Sequence, residues 1–200
     1  MALSAGFHEV PAGHVATVVT YLEMRTQAEP RPCPEPDGCV LRRVEMPDVA
    51  WYRDLFYRVG GYDWLWCSCL MLTEAELRDV LHDPGMVVFA LECEGKAEGL
   101  LQLDFREAGA CELAFFGVSG KLAGTTAGRF MMNRALEEAW AREIELFHVH
   151  TCTLDHPRAL AFYRRSGFEP VRQEVEIMAD PRLNGVLPKD AGPHVPLFEA

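Results

Sequence analysis

Two stretches of the 200-residue chain hold side chains at spacings that chemistry can use. The first, residues 112–128, reads ELAFFGVSGKLAGTTAG: an apolar strand, a loop of small residues, then a helix. Such a junction turns free backbone N–H groups and the positive end of a helix dipole toward an anion, most often a phosphate. Small side chains are needed there because the phosphate must approach the backbone itself. Between Gly120 and Arg142 the bases Lys121, Arg129, Arg134 and Arg142 face two acids, Glu137 and Glu138, a local +2 in a chain of net charge −11. The spacing is neither the GxxxxGK[ST] of a nucleotide-hydrolase loop nor a dinucleotide fingerprint.

The second stretch, residues 151–168, reads TCTLDHPRALAFYRRSGF. Pro157 suits a first helical position, with His156 or Asp155 as cap. Ala159 and Tyr163 lie one turn apart on a shared face, Gly167 ends the helix and Phe168 returns to the core. Elsewhere, Glu112 sits in a strand that continues Leu113, Ala114, Phe115, Phe116, where a carboxylate is costly to bury unless paired or used; its alternative is an exposed edge position. Trp64 and Trp66, with Tyr57 and Tyr62, can wall an apolar, aromatic or cationic ligand, or form a satellite core. Cys67 and Cys69 form only half a zinc site, and His148 and His150 share a strand face without a third ligand, so no metal is expected.

These residues need elements to position them. The β-branched run at 14–22 predicts one strand, and EPRPCPEPDG at 29–38 a linker or extended arm. A strand is expected at 40–44, then a helix opened by Pro47 and Asp48 that runs to about Val59 and is ended by Gly60 and Gly61. Thr73 and Glu76 form a capping box for a helix at 74–82. Three hairpin-linked strands follow at 86–92, 99–105 and 111–118, an antiparallel meander. Helical periodicity returns at 128–142, followed by a strand at 146–151, a short helix at 157–166 and a strand at 169–177. The expected organisation is an N-terminal arm at 1–38 with a strand and a proline-rich linker, one domain at 39–180, and an irregular tail at 181–200.

Composition sets bounds on function. With 49% hydrophobic and 24% charged residues the chain has material for a core. An excess of acids argues against nucleic acid and anionic membrane partners, and no apolar run reaches the length of a spanning helix. The N-terminus lacks the pattern of a signal peptide. Seven irregularly spaced cysteines do not suggest a disulfide framework, which points to a reducing, cytoplasmic setting.

Taken together and in this order, the two stretches resemble the GNAT superfamily of acyl-CoA-dependent N-acetyltransferases over roughly residues 40–177. That family carries an N-x-x-A-x-x-x-Y-x-x-x-G-F signature, which His156, Ala159, Tyr163, Gly167 and Phe168 match with histidine in place of asparagine. It also carries a Q/R-x-x-G-x-G/A turn. Here Ala123 stands at the Q/R position and Thr126 at the middle glycine; Gly128 is kept, and Gly124 and Ala127 hold the loop small. A positive φ would strain Thr126 by about 1–2 kcal/mol, whereas at negative φ its hydroxyl is free to bond a phosphate oxygen.

The resemblance implies an α/β fold of the α+β type, with a mixed central sheet, an antiparallel meander and helices on both faces. It implies acyl transfer from acetyl-CoA, or another acyl-CoA, to a small-molecule or peptide amine by direct attack, without a metal, in a monomer or homodimer. By the same resemblance Tyr163 is the general acid and Glu112 the leading base, ahead of Asp104 and Asp155. Phe116 and Val118 would pair with the pantetheine arm. Ala123, Gly124, Thr125, Thr126, Ala127, Gly128 and Arg129 would hold the pyrophosphate, Arg129 through a charge-assisted contact. His156 would stand at the coenzyme side, and Trp64 and Trp66 would shape the acceptor pocket. The altered turn motivates the alternative, a non-catalytic module of this fold that binds acyl-CoA or a protein partner.

Overall fold

The computed structural model describes residues 3–199; Met1 and Ala2 of the arm and Ala200 of the tail lie outside the described residues. Seven strands form one sheet: β1 (His14–Met24), β2 (Cys39–Val44), β3 (Met86–Cys93), β4 (Lys96–Asp104), β5 (Ala110–Val118), β6 (Leu146–Cys152) and β7 (Glu169–Ala179). Their spatial order is β2-β3-β4-β5-β6-β1-β7. Strands β2 to β5 are an antiparallel run, and β5 meets β6 in the sheet's parallel pair.

The strand expected in the N-terminal arm lies inside this sheet. β1 pairs antiparallel with β6 on one side and β7 on the other. β6 and β7 therefore run parallel and reach across β1 through helix α6 (Ala159–Arg165), since parallel neighbours in a sheet need a crossover. The alternating inward positions Val15 and Val19 on one face, and Leu22 and Met24 on the other, are buried.

Helix α5 (Ala127–Trp140) and α6 cover one face of the sheet. Met131, Met132, Ala135, Leu136 and Ala139 meet Leu101, Leu103, Leu113, Phe147 and Val149 there. Helix α1 (Val49–Phe56) and helix α4 (Glu74–Leu81) cover the β3–β4 half of the other face and bury Tyr52, Phe56, Leu77 and Leu81 against Val88, Ala90 and Leu100. Asp48 caps α1 by accepting from the Trp51 N–H at 2.9 Å, and the Thr73–Glu76 capping box opens α4. A one-turn helix, α3 (Ser68–Met71), lies between them without a periodic signal long enough to announce it.

Gly60 and Gly61 do not end a helix as expected. They lie in a π-helical turn (Tyr57–Gly61) that continues into α2 (Tyr62–Trp64), and the chain leaves only at Leu65 with φ 58°. Their small size serves packing instead: a Cβ on Gly60 would lie 2.0 Å from Cδ2 of Trp66. Gly60→Ala is therefore expected to displace the Trp66 indole and cost about 1–3 kcal/mol, the range for overpacking a filled site. Chemical denaturation with tryptophan fluorescence checks this; an unshifted midpoint would contradict it.

One further expectation is corrected. Cys39 and Cys93 stand opposite each other in the β2–β3 register and are disulfide-bonded, while Cys33, Cys67, Cys69, Cys111 and Cys152 are free. The tail lacks regular elements but has a fixed course around Arg182. That buried guanidinium pairs with Asp180 and donates to the carbonyls of Ala191, Val195 and Pro196 at 3.2, 2.8 and 3.1 Å. Leu187 and Ala191 then pack on Leu65 and Cys67.

Candidate active site

The site begins where two strands part. β5 and β6 are paired only at Ala110↔Leu146, Cys111↔Phe147 and Glu112↔His148. Just beyond, β5 bulges against β4: Gln102 faces Phe115 and Leu103 faces Leu113, leaving Ala114 as the extra residue. A bulge bends its strand, and from residue 113 to Val118 one edge of β5 has no strand beside it among the described residues. Phe116 and Val118 lie half-buried along this divergence.

At its far end β5 enters the small-residue turn. Gly124 takes the left-handed conformation, with φ 81°, and Thr126 is right-handed at φ −75°. The strained reading of Thr126 is thus excluded. The Thr125 hydroxyl donates to the Leu122 carbonyl at 2.7 Å and accepts from the Ala127 N–H at 3.2 Å. The N–H groups of Thr126, Gly128 and Arg129 have no acceptor among the described residues, and the space where a Gly128 side chain would stand is open. Glu98 anchors the turn: its carboxylate accepts from the Ser119 hydroxyl at 2.6 Å and lies 3.2 Å from the Lys121 ammonium. Burial pushes this carboxyl up, but Ser119, Lys121 and Arg58 outweigh burial and hold it below its ordinary range.

Tyr163 projects from α6 into the same region, ringed by Phe116, Phe162 and Phe168 at centroid distances of 6.4, 5.7 and 6.1 Å. The side chain is buried, and its hydroxyl makes no hydrogen bond among the described residues. Burial, then the Asp155 carboxylate, pushes the phenol far above its usual pKa, so it stays protonated. Arg129 donates to the Ser166 hydroxyl at 3.1 Å and lies 4.9 Å from the Phe162 ring, which stacks on Phe116 at 5.7 Å. The proline-rich arm crosses here too. Asn133 of α5 donates to the Arg31 carbonyl at 2.7 Å, and the Cys33 thiol lies 3.6 Å from the Thr126 carbonyl.

On the opposite face of the sheet Glu112 pairs with His150, Oε1 to Nδ1 at 3.3 Å. Asp104, Arg106, Glu107, Glu112 and His148 line a recess of about 290 Å³ beside this pair. His150 holds the Glu112 carboxyl below its ordinary pKa, and Glu112 raises the His150 imidazole. The depressed carboxyl contributes stability above its unfolded pKa that is lost as the pH falls through the folded one. The raised imidazole contributes stability below its unfolded pKa that is lost as the pH rises through the folded one. The ion pair is therefore complete in the acid-to-neutral window between them. Glu112→Gln should bring the His150 pKa back down, read by NMR titration of its ring protons; an unmoved His150 would contradict the pairing.

Trp66 spans the parting strands. Its indole packs on Phe56 and Phe115, both at 5.6 Å, and its N–H donates to Asp155 at 2.8 Å beyond the end of β6. The other oxygen of Asp155 accepts from the Thr151 hydroxyl and the Cys152 N–H, so this carboxylate ties Trp66 to the β6 end. Trp64 stands farther out between the rings of His156 and His194, at 5.1 and 5.3 Å. His156 accepts the Arg158 N–H on Nδ1, capping the turn before α6, which begins two residues after Pro157. Sequence reasoning missed Phe162, the role of His150 as partner to Glu112, and the arm's course over the turn. Only His150 had a visible signal, its shared strand face with His148.

The fold that carries this arrangement has counterparts among known proteins. The acetyltransferase (GNAT) family model matches residues 49–168, more than half of the chain. The chain belongs to the GNAT acetyltransferase family, whose general chemistry is acyl transfer from acetyl-CoA. Among solved structures it is similar to a GCN5-related N-acetyltransferase from Sphaerobacter thermophilus, at 13% identity and a TM-score of 0.64, covering 94% of this chain and 55% of that one. It is also similar to a conserved protein of unknown function from Staphylococcus epidermidis, at 11% identity and a TM-score of 0.59, covering 84% and 63%. An aminoglycoside acetyltransferase from an uncultured soil sample, solved with sisomicin, matches at 16% identity and a TM-score of 0.51, covering 65% and 88%. The chain thus spans 55% and 63% of the first two relatives' length. No curated protein matches it in sequence.

Proposed function

We propose that this protein transfers an acetyl or other acyl group from acyl-CoA to an amine by direct attack. The observation that carries the reading is the unpaired edge of β5, with the buried Tyr163 beside it, its hydroxyl unpartnered among the described residues, and free N–H groups at its end. A bound acyl-CoA supplies the activated acyl group. Phe116 and Val118 pair with its extended arm through the open strand edge. The amides of Thr126, Gly128 and Arg129, with the residues from Ala123 to Ala127 keeping the turn small, receive its pyrophosphate. Tyr163 donates its proton to the departing sulfur, and Glu112 with His150 relieves the attacking amine of one.

The acceptor fits a cationic class. Asp104, Glu107 and Glu112 line the recess against one arginine, Arg106, so a protonated amine is drawn in before it is neutralised at the pair. Polyamines, aminoglycosides and basic peptides make a suitable first panel. No helix among the described residues is long and apolar enough to cross a membrane. The reading places the reaction in the cytoplasm, where acyl-CoA is at hand.

A second reading is a module that binds but does not turn over, and it has its own support. Arg31 and Cys33 lie against α5 and its leading turn, and Arg129 rests on Phe162 beside Phe116. Thiol release from acetyl-CoA across the amine panel separates the two. Acceptor-dependent release supports the transferase; coenzyme binding without release from any acceptor supports the module.

A further inference from the structure

The proline-rich arm brings a positive charge to the turn that the proposed transfer leaves unused. Asn133 holds the Arg31 carbonyl at 2.7 Å, one helical turn beyond Arg129 on α5, and the Arg129 guanidinium donates to Ser166, the residue after Arg165. Three arginines, from the arm, α5 and α6, thus meet beside the turn. None of them pairs with a carboxylate among the described residues. Lys121 and Arg134, by contrast, are held by Glu98 and by Glu137 and Glu138. Burial, then the neighbouring Arg31 and Arg165 charges, lowers the pKa of Arg129. Like charges gathered in this way repel one another, and in a chain of net charge −11 they form a local exception that an anion relieves.

We propose that Arg31, Arg129 and Arg165 hold a second phosphate group, the ribose 3′-phosphate of coenzyme A, and that the arm thereby selects this coenzyme over its dephospho form. The inference rests on the proposed use of acyl-CoA. Arg129 sets the spacing: its backbone N–H is one of the free amides offered to the pyrophosphate, and its side chain belongs to the cluster. The second anion must therefore lie within one arginine side chain of the first. A ribose that carries a diphosphate on one hydroxyl and a phosphate monoester on another meets this condition. The terminal oxygens of the monoester suit guanidinium forks, which bind phosphate two bonds at a time. The arm is fixed at both ends, by β1 at Met24 and by β2 at Cys39, and between them the Cys33 thiol lies 3.6 Å from the Thr126 carbonyl. Arg31 is thus carried to the turn before any ligand arrives, which lowers the ordering cost of binding. It lies outside the two stretches that carry the family resemblance, so its contact is a feature of this chain's arm.

Isothermal titration of the full chain with CoA and with dephospho-CoA gives the test. The unaltered chain is expected to bind CoA about tenfold or more tighter than dephospho-CoA, the scale of a charge-assisted contact. Arg31→Ala keeps the carbonyl that Asn133 holds and should narrow that preference several-fold. Adding Arg165→Ala should erase it, with dephospho-CoA bound by both variants as by the unaltered chain. Equal affinity of the unaltered chain for the two coenzymes overturns the proposal and leaves the acyl-CoA reading standing. So does a preference that survives in the double variant, or an Arg31→Ala chain that loses affinity for both coenzymes alike, since the arm would then act through the turn's shape. Binding of neither coenzyme by the unaltered chain removes the acyl-CoA reading itself, and the proposal with it.

Discussion

Removal of residues 1–26 is expected to abolish the fold rather than trim an arm from it. β1 is the sole strand partner of β7 among the described residues and separates it from β6, so its loss leaves two parallel strands with a gap between them. Val15, Val19, Leu22 and Met24 leave the core with it, each at most 6% exposed in the intact chain. At about 1.5–3 kcal/mol for burying each such side chain, the four supply about 6–12 kcal/mol. That is comparable to the whole stability of an ordinary domain, about 5–15 kcal/mol. The truncated chain should show no cooperative thermal transition by circular dichroism. A sharp melt near that of the full chain would mean that β6 and β7 close the gap without β1.

The second large effect is catalytic. Tyr163→Phe should lower kcat about 100-fold or more, within the range for loss of a general acid. Two readouts should stay nearly unchanged. The melting temperature should hold because the hydroxyl has no partner among the described residues to orphan, and the aromatic packing against Phe116, Phe162 and Phe168 is retained. The KM for acyl-CoA should hold because the backbone turn does the binding. An unchanged kcat would remove Tyr163 from the chemistry, and a loss of stability with the loss of rate would make its role structural.

What the sequence shows and what it hides divide along the range of the interactions. The capping box at Thr73, the small-residue turn at Gly124 and the helix stop at Gly167 are local chemistry, readable from a few neighbouring residues. So are the β3–β4–β5 meander and the match at Ala159, Tyr163 and Phe168. The place of β1 is not local: β-branched residues announce a strand but not which strands it joins. The Cys39–Cys93 bridge depends on the β2–β3 register in the same way. Gly60 and Gly61 misled because a glycine that makes room for Trp66 looks the same in sequence as one that stops a helix. Thr126 is a milder case, since the left-handed residue of the turn is Gly124, two positions earlier. At the site, the pairing of Glu112 with His150 and the layering of Arg129 on Phe162 emerge only once β5, β6, α5 and α6 are placed together.

Binding of the coenzyme at the turn is the claim on which the functional reading rests. Isothermal titration of the full chain with acetyl-CoA and with free CoA tests it most directly. The account predicts micromolar binding of both, weakened sharply by Gly128→Asp, which sets a carboxylate in the open space before the free amides. An absence of heat at millimolar ligand, or an affinity that Gly128→Asp leaves unchanged, would contradict it.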